Sequence, residues 1–362
     1  MVTGRPYPAA PSLVRPADGP GRRGLPKPNP QWGLPAVQCL ALPLYWWLWQ
    51  GALGPGAAVA GATAATPFLL HAAGLGVGFI VSWLNQDAPG GQRQGRRRDW
   101  LVAFAVETAV SIRQFYWLMP FREWFRPPAA REPAVGPPIL LLHGYGCNRG
   151  LWLPTARWLA RRGYRVSAIN LWPMHASIDA YAGAIGNAVA SLRQEHGGER
   201  VAVVVHSMGG LAARAYLRQC GRAGTDPGLA ALVTLGTPHV GTHIARIGIG
   251  ENARQMRFRS PWTETLRQDE AQPGAPLAIL ARRGKVIAIG SLQDNIVSRP
   301  LEQRLPGVRT VQVRRQGHMS LATSRRVLDA IDRLLRRVPY TPLEGAPADH
   351  RDAARRPPSN GN

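Results

Sequence analysis

Val201-Ala202-Val203-Val204-Val205-His206-Ser207-Met208-Gly209-Gly210-Leu211-Ala212-Ala213 is the stretch that decides the fold. A run of Val and Ala ending in a polar pair predicts a buried strand, and the alanine-rich residues after the two glycines predict a helix. Strand, sharp turn and helix in so few residues lift Ser207 above the end of a sheet and aim the backbone N–H of Met208 at the space beside it. Gly209 and Gly210 leave room where strand and helix pass closely. On the other flank, Val205 stands where such a turn usually carries a glycine.

Outward from this turn, between Pro137 and Val338, short apolar runs alternate with amphipathic stretches, the pattern of a parallel sheet covered by helices. Strands are predicted over 139–142, 166–170, 201–205, 231–235, 285–290 and 309–313, and helices over 151–162, 177–195, 209–220 and 325–336. In sheets of this kind ligands bind beyond the carboxyl ends of the strands, so the residues just after each run are where chemistry is expected. Four such places carry it. His143-Gly144-Tyr145-Gly146 follows the first strand, Ser207 the third and Asp294 the fifth, while Gly317-His318-Met319-Ser320 lies between the last strand and the last helix. Among nine histidines only His318 has that position. His71 lies in an apolar region, His175, His196 and His350 have no strand-end context, and His206, His239 and His243 sit beside motifs without an evident proton-transfer role. His143 reads as a brace for its loop rather than as a base.

Ser207, then Asp294, then His318 24 residues later is the chain order of nucleophile, acid and base on such a sheet. With the strand pattern and the two glycine-containing loops, these residues resemble the α/β-hydrolase superfamily, close to its bacterial triacylglycerol lipase and esterase branch, over residues 137–338. Leu235-Gly236-Thr237-Pro238-His239-Val240-Gly241-Thr242 is similar to the segment that leads into the lid of such lipases. The resemblance implies a Ser207-Asp294-His318 triad that cleaves carboxylic esters of small or lipid substrates through an acyl-enzyme. It also implies an oxyanion hole made by the N–H groups of Tyr145 and Met208, and no metal or organic cofactor. The same acyl-enzyme would serve transfer to an acceptor other than water, and Val205 motivates a third reading, a catalytically inert interaction module. Residues 239–283 form either a lid over an acyl pocket or an ordinary surface excursion, and the sequence leaves both open.

The N-terminal third is read from its own composition. No Asp, Glu, Lys or Arg occurs in the 59 residues from Pro28 to Gln86. Since a bilayer-spanning helix needs about 20 apolar residues, the expectation over 34–86 is two membrane helices, at 34–53 and 64–84, separated by Gly54-Pro55-Gly56. Gly74, Gly76 and Gly78 read as small packing residues. Residues 1–33 read as a basic, Pro-rich tail and 87–136 as a basic linker followed by an amphipathic helix, because Glu107 and Arg113 interrupt the apolar region 100–125. Residues 339–362 read as a disordered tail. Arg5, Arg15, Arg22, Arg23 and Lys27 precede the first span, and Arg93, Arg96, Arg97 and Arg98 follow the second, so both ends and the catalytic domain are expected on the cytoplasmic side of a bacterial inner membrane, in contact with its lipids.

At 362 residues the chain exceeds a single typical domain, and its three cysteines, Cys39, Cys147 and Cys220, form no C-x-x-C pair, which excludes a disulfide scaffold or zinc module. The net charge of +23 invites a nucleic-acid partner. The only lysines, however, are Lys27 and Lys285, and the charge is almost wholly arginine in a chain rich in Ala, Gly and Pro. With no aromatic-interleaved basic stripe, no nucleic acid is expected.

Overall fold

The computed structural model describes residues 30–85, 95–129 and 134–338. The basic tail up to residue 29, part of the linker and the C-terminal tail beyond Val338 lie outside the described residues. Helices α1 (Gly33–Leu53) and α2 (Ala57–Leu84) are joined through Gly54 and Gly56, whose φ angles of 74° and 155° favour glycine. Helix α3 (Arg97–Arg113) continues through a wider π turn, Gln114–Leu118, into one further turn, Met119–Phe121.

The domain that follows is built on six parallel strands: β1 (Ile139–Leu142), β2 (Val166–Ile169), β3 (Val201–His206), β4 (Leu229–Leu235), β5 (Val286–Ser291) and β6 (Thr310–Val313), in the order β2-β1-β3-β4-β5-β6. Every predicted strand is present, with ends moved by a residue or two. The covering helices are α4 (Leu153–Ala160), α5 (Tyr181–Glu195), α6 (Met208–Ala223) and α10 (Arg325–Leu335). The predicted starts of α4 and α5 are instead single 3-10 turns, Arg149–Trp152 and Ile178–Ala180, with Asn148 and Ser177 accepting hydrogen bonds from Gly150 N and Asp179 N.

Strand alternation sorts the core into two layers. Leu140, Leu142, Val203 and Val205 pack with Tyr181 and Ile185 of α5 and Leu211 of α6 on one face. Ile139, Leu141, Ala202 and Val204 pack with Leu159 of α4 and Ile331 of α10 on the other. The chain leaves β1 for one edge of the sheet and returns to form β3 on its other side, so a crevice opens beyond the carboxyl ends of β1 and β3, where Leu142 pairs with Val205.

The two expected spans differ in composition. Among the described residues only α2 is both long and apolar enough to cross a membrane. Helix α1 has the length, but Gln38, Pro43 and Gln50 interrupt its apolar run. Helix α2 also packs against the sheet domain. His71, Leu75, Gly78 and Ser82, which share one helical face, lie against it, while Leu69, Val77, Ile80 and Leu84 remain exposed. Of the three glycines read as packing residues, Gly78 approaches Asn295, Gly76 approaches Phe104, and Gly74 meets nothing.

The insertion after β4 divides in function. Residues 242–256, including helix α7 (Glu251–Gln255), lie over the crevice. Helices α8 (Pro261–Glu270) and α9 (Pro276–Arg282) cover α6 instead, where Arg214 of α6 pairs with Glu270 at 2.7 Å.

Because Leu141 is wholly buried in the central layer, Leu141→Ala is expected to lower the unfolding free energy by about 2–5 kcal/mol. Denaturant titration of the detergent-solubilised protein checks this, and an unchanged midpoint would contradict the assigned core.

Candidate active site

The turn after β3 holds Ser207 at φ 54°, ψ −125°, a conformation that a non-glycine residue adopts only under constraint. The constraint comes from packing on both sides. A Cβ at Gly209 would lie 2.7 Å from the carbonyl oxygen of His143, one at Gly210 would lie 2.2 Å from Thr237 Oγ1, and one at Gly144 would lie 2.8 Å from the Cβ of Ser207 itself. Thr237 Oγ1 also donates to the Ser207 carbonyl at 3.0 Å. Val205 is fully buried among apolar neighbours, so the turn forms with a β-branched residue at that position. The close approach that demands glycine falls on the helix side.

Asp294 follows β5 and is 1% exposed. Its Oδ1 accepts the backbone N–H groups of Ile296 and Val297 at 2.9 and 2.8 Å, and its Oδ2 lies 2.9 Å from Nδ1 of His318. Gly236 passes so close that a Cβ there would stand 3.1 Å from Asp294 Oδ2 and 3.2 Å from His318 Nδ1. The His318 N–H donates to Asn295 Oδ1 at 3.0 Å, which ties the acid and base loops together. Burial pulls the pKa of His318 down, but the Asp294 carboxylate, by charge and hydrogen bond, and the charge of Glu107 carry it above the ordinary imidazole value.

His143 and His206 have the opposite character. His143 Nε2 accepts from Leu171 N at 2.9 Å, which leaves Nδ1 to donate to the Gly144 carbonyl, and burial lowers its pKa to about 4. It braces the β1 loop, as its sequence position suggests. His206 Nε2 donates to the His318 carbonyl at 2.9 Å, and burial, then the charge of His318, lowers its pKa to about 3. His239 is likewise buried, bonded to Thr234 and next to Arg214. Cys147 reaches the same crevice, but burial pushes its thiol up to about 12, so it offers no thiolate.

Ser207, His318, Tyr145 and Gly144 line one cavity of about 470 Å³ whose wall is mostly apolar. Met208 is the first residue of α6, so its N–H has no partner within the helix, while its side chain is packed in the core. The Tyr145 phenol donates to the Ile249 carbonyl at 2.8 Å and accepts from Ile249 N at 2.9 Å, fastening the β1 loop to the overlying segment. Sequence reading missed the wall contributed from the N-terminal helices: His71 and Leu75 of α2, Glu107 and Ser111 of α3, and Phe115. His71 Nε2 and Ser111 Oγ are 2.7 Å apart. A lone carboxylate in an apolar run was the available signal, since such a group is buried only with partners. Among the described residues no group of three or more His, Cys, Asp or Glu is arranged to hold a metal ion.

Residues 137–275 match the family model described as alpha/beta hydrolase fold. Among solved structures, the chain is similar to lipase BlEst2 of Bacillus licheniformis in its propeptide form, with a TM-score of 0.50 and 16% identity over 62% of this chain and 55% of that one. The mature form of the same lipase gives a TM-score of 0.49 and 18% identity over 59% of this chain and 97% of that one. A thermophilic esterase from Thermogutta terrifontis gives 0.38 and 20%, over 57% and 91%. No curated protein matches the sequence. The sheet domain has the alpha/beta hydrolase fold, as the turn around Ser207 and the strand pattern implied.

In a histidine titration followed by NMR, His318 is expected to change charge above the ordinary value of about 6.5, while His143 and His206 stay neutral until about pH 4 and 3. A His318 midpoint below 6.5 would contradict the ion-pair geometry described.

Proposed function

We propose that this chain is a membrane-anchored serine hydrolase that cleaves carboxylic esters with an apolar acyl group. The observation that carries the reading is the strained Ser207 on a helix-capped turn, sharing a cavity with a histidine that a buried carboxylate holds at 2.9 Å. Ser207 Oγ attacks the ester carbonyl while His318 Nε2 takes its proton, and Asp294 fixes the tautomer and stabilises the imidazolium. The N–H groups of Tyr145 and Met208 receive the oxyanion, where one donor is worth about 10²–10³ in rate. His318 then protonates the departing alcohol, and water, deprotonated by the same imidazole, releases the acid. Ile244, Ile247, Ile249 and Met256 from the overlying segment, with Leu75 and Phe115, supply an apolar surround that suits an acyl chain better than a charged one.

The exposed apolar side chains of α1 and α2, together with Ile247 at 83% and Ile249 at 73% exposure beside the cavity, support residence at a lipid surface. Arg93, Arg96, Arg97 and Arg98, which follow α2 in the sequence, favour the cytoplasmic side.

Hydrolysis of p-nitrophenyl esters from acetate to palmitate by the full chain in detergent tests the proposal. The wild type is expected to turn over, and Ser207→Ala to lose a factor on the order of 10⁴ or more in kcat/KM. Equal rates from the two proteins would refute the hydrolase assignment.

A further inference from the structure

Glu107 of α3 is completely buried. Its two oxygens accept the N–H groups of the two residues after the histidine, Met319 at 2.7 Å and Ser320 at 2.8 Å. Gly317, the residue before the histidine, lies against the same carboxyl so closely that a Cβ there would stand 2.5 Å from its Cδ. The side chain thus grips the whole turn from Gly317 to Ser320. A second tie from α3 runs from Asp99 to Arg315 Nε at 2.6 Å, just upstream of that turn.

Helix α2 treats the acid loop in the same way. Ser82 Oγ, fully buried, donates to the carbonyl of Asp294 at 2.7 Å, and one turn earlier Gly78 lets the helix come within 3.2 Å of the Asn295 carbonyl, measured from a Cβ built there. Asn295 is the residue that accepts the His318 N–H. The acid loop and the base loop are therefore each held from outside the sheet domain, by helices about 200 residues away in sequence.

We infer that the N-terminal helices are working parts of the catalytic centre, in which Glu107 of α3 positions the His318 turn and Ser82 of α2 positions the Asp294 turn. This rests on the hydrolase reading above, and it makes both groups positioning residues, acting through His318 and Asp294. Helix α2, which the reading above places at the lipid, is thus also one of the two supports of the triad, and displacing α2 and α3 from the domain loosens acid and base together. The ionisable groups facing His318 are Asp294 from the β5 loop, Glu107 from α3 and His206 from the end of β3. Of these, the two carboxylates favour the imidazolium, Glu107 against a burial that raises its own pKa and that the Met319 and Ser320 N–H groups and His318 oppose, and His206 stays neutral. Removing the Glu107 charge therefore shifts the titration of His318 to lower pH.

The test compares full-length wild type, Glu107→Gln, Glu107→Asp and Ser82→Ala in detergent, by kcat and KM against pH on a p-nitrophenyl ester and by NMR titration of His318. Glu107→Gln is expected to keep KM within about twofold, to lower kcat about tenfold or more, and to move both the acid limb and the His318 midpoint downward. Glu107→Asp keeps the charge but withdraws it from the two N–H groups, so kcat falls while the midpoint holds. Ser82→Ala is expected to lower kcat with no change of midpoint. A wild-type kcat in either Glu107 variant, or an unmoved midpoint in Glu107→Gln, overturns the inference. Should Glu107→Gln fail to fold, Glu107→Asp decides it. If the wild type hydrolyses nothing, the hydrolase reading has failed, and the midpoint in Glu107→Gln still decides whether Glu107 governs His318.

Discussion

The contact on which the site depends is the one between Asp294 and His318, made inside a domain whose walls are almost entirely apolar. An ionised carboxylate at 1% exposure costs several kcal/mol to desolvate unless donors surround it. Here two backbone N–H groups and an imidazole do so. The neighbourhood is shaped to keep that arrangement dry and fixed. Gly236 comes within reach of both partners, Asn295 locks the histidine backbone, and parallel pairing of β5 with β6 brings their two loops to the same edge of the sheet. The strain at Ser207 is tolerated because the surrounding turn is close-packed on the same edge.

What was legible in the sequence was local. The strand runs, the turn around Ser207 and the strand-end positions of Asp294 and His318 each announce themselves within a few residues, because apolar periodicity and glycine placement are local signals. Val205 was legible as a departure but not in its consequence. Whether a β-branched side chain fits upstream of the serine depends on Leu140, Leu142 and the helices of one core layer, which no single stretch reveals. The lid question had the same origin. Residues 242–256 and the helices after them read alike, yet one part lies over the cavity and the other covers α6 through the Arg214–Glu270 pair.

Least legible was the part played by the N-terminal third. Composition set residues 28–86 apart as free of Asp, Glu, Lys and Arg, which suggested two membrane helices and nothing of what they pack against. The periodicity of His71, Leu75, Gly78 and Ser82 along one face of α2 acquires meaning only once the acid loop is seen against it. The same holds for Glu107, whose partners are 212 and 213 residues away. In physical terms, one face of α2 packs against the loops that carry Asp294 and Asn295, and the other is left apolar and exposed.

The most direct test of the central claim is intact-mass and peptide analysis after exposure of the full chain to a fluorophosphonate. The account predicts a single phosphonyl adduct on Ser207, formed more slowly as pH falls through the elevated titration of His318, and lost in Ser207→Ala. Labelling at another residue, or none at Ser207 in folded protein at neutral pH, would contradict it.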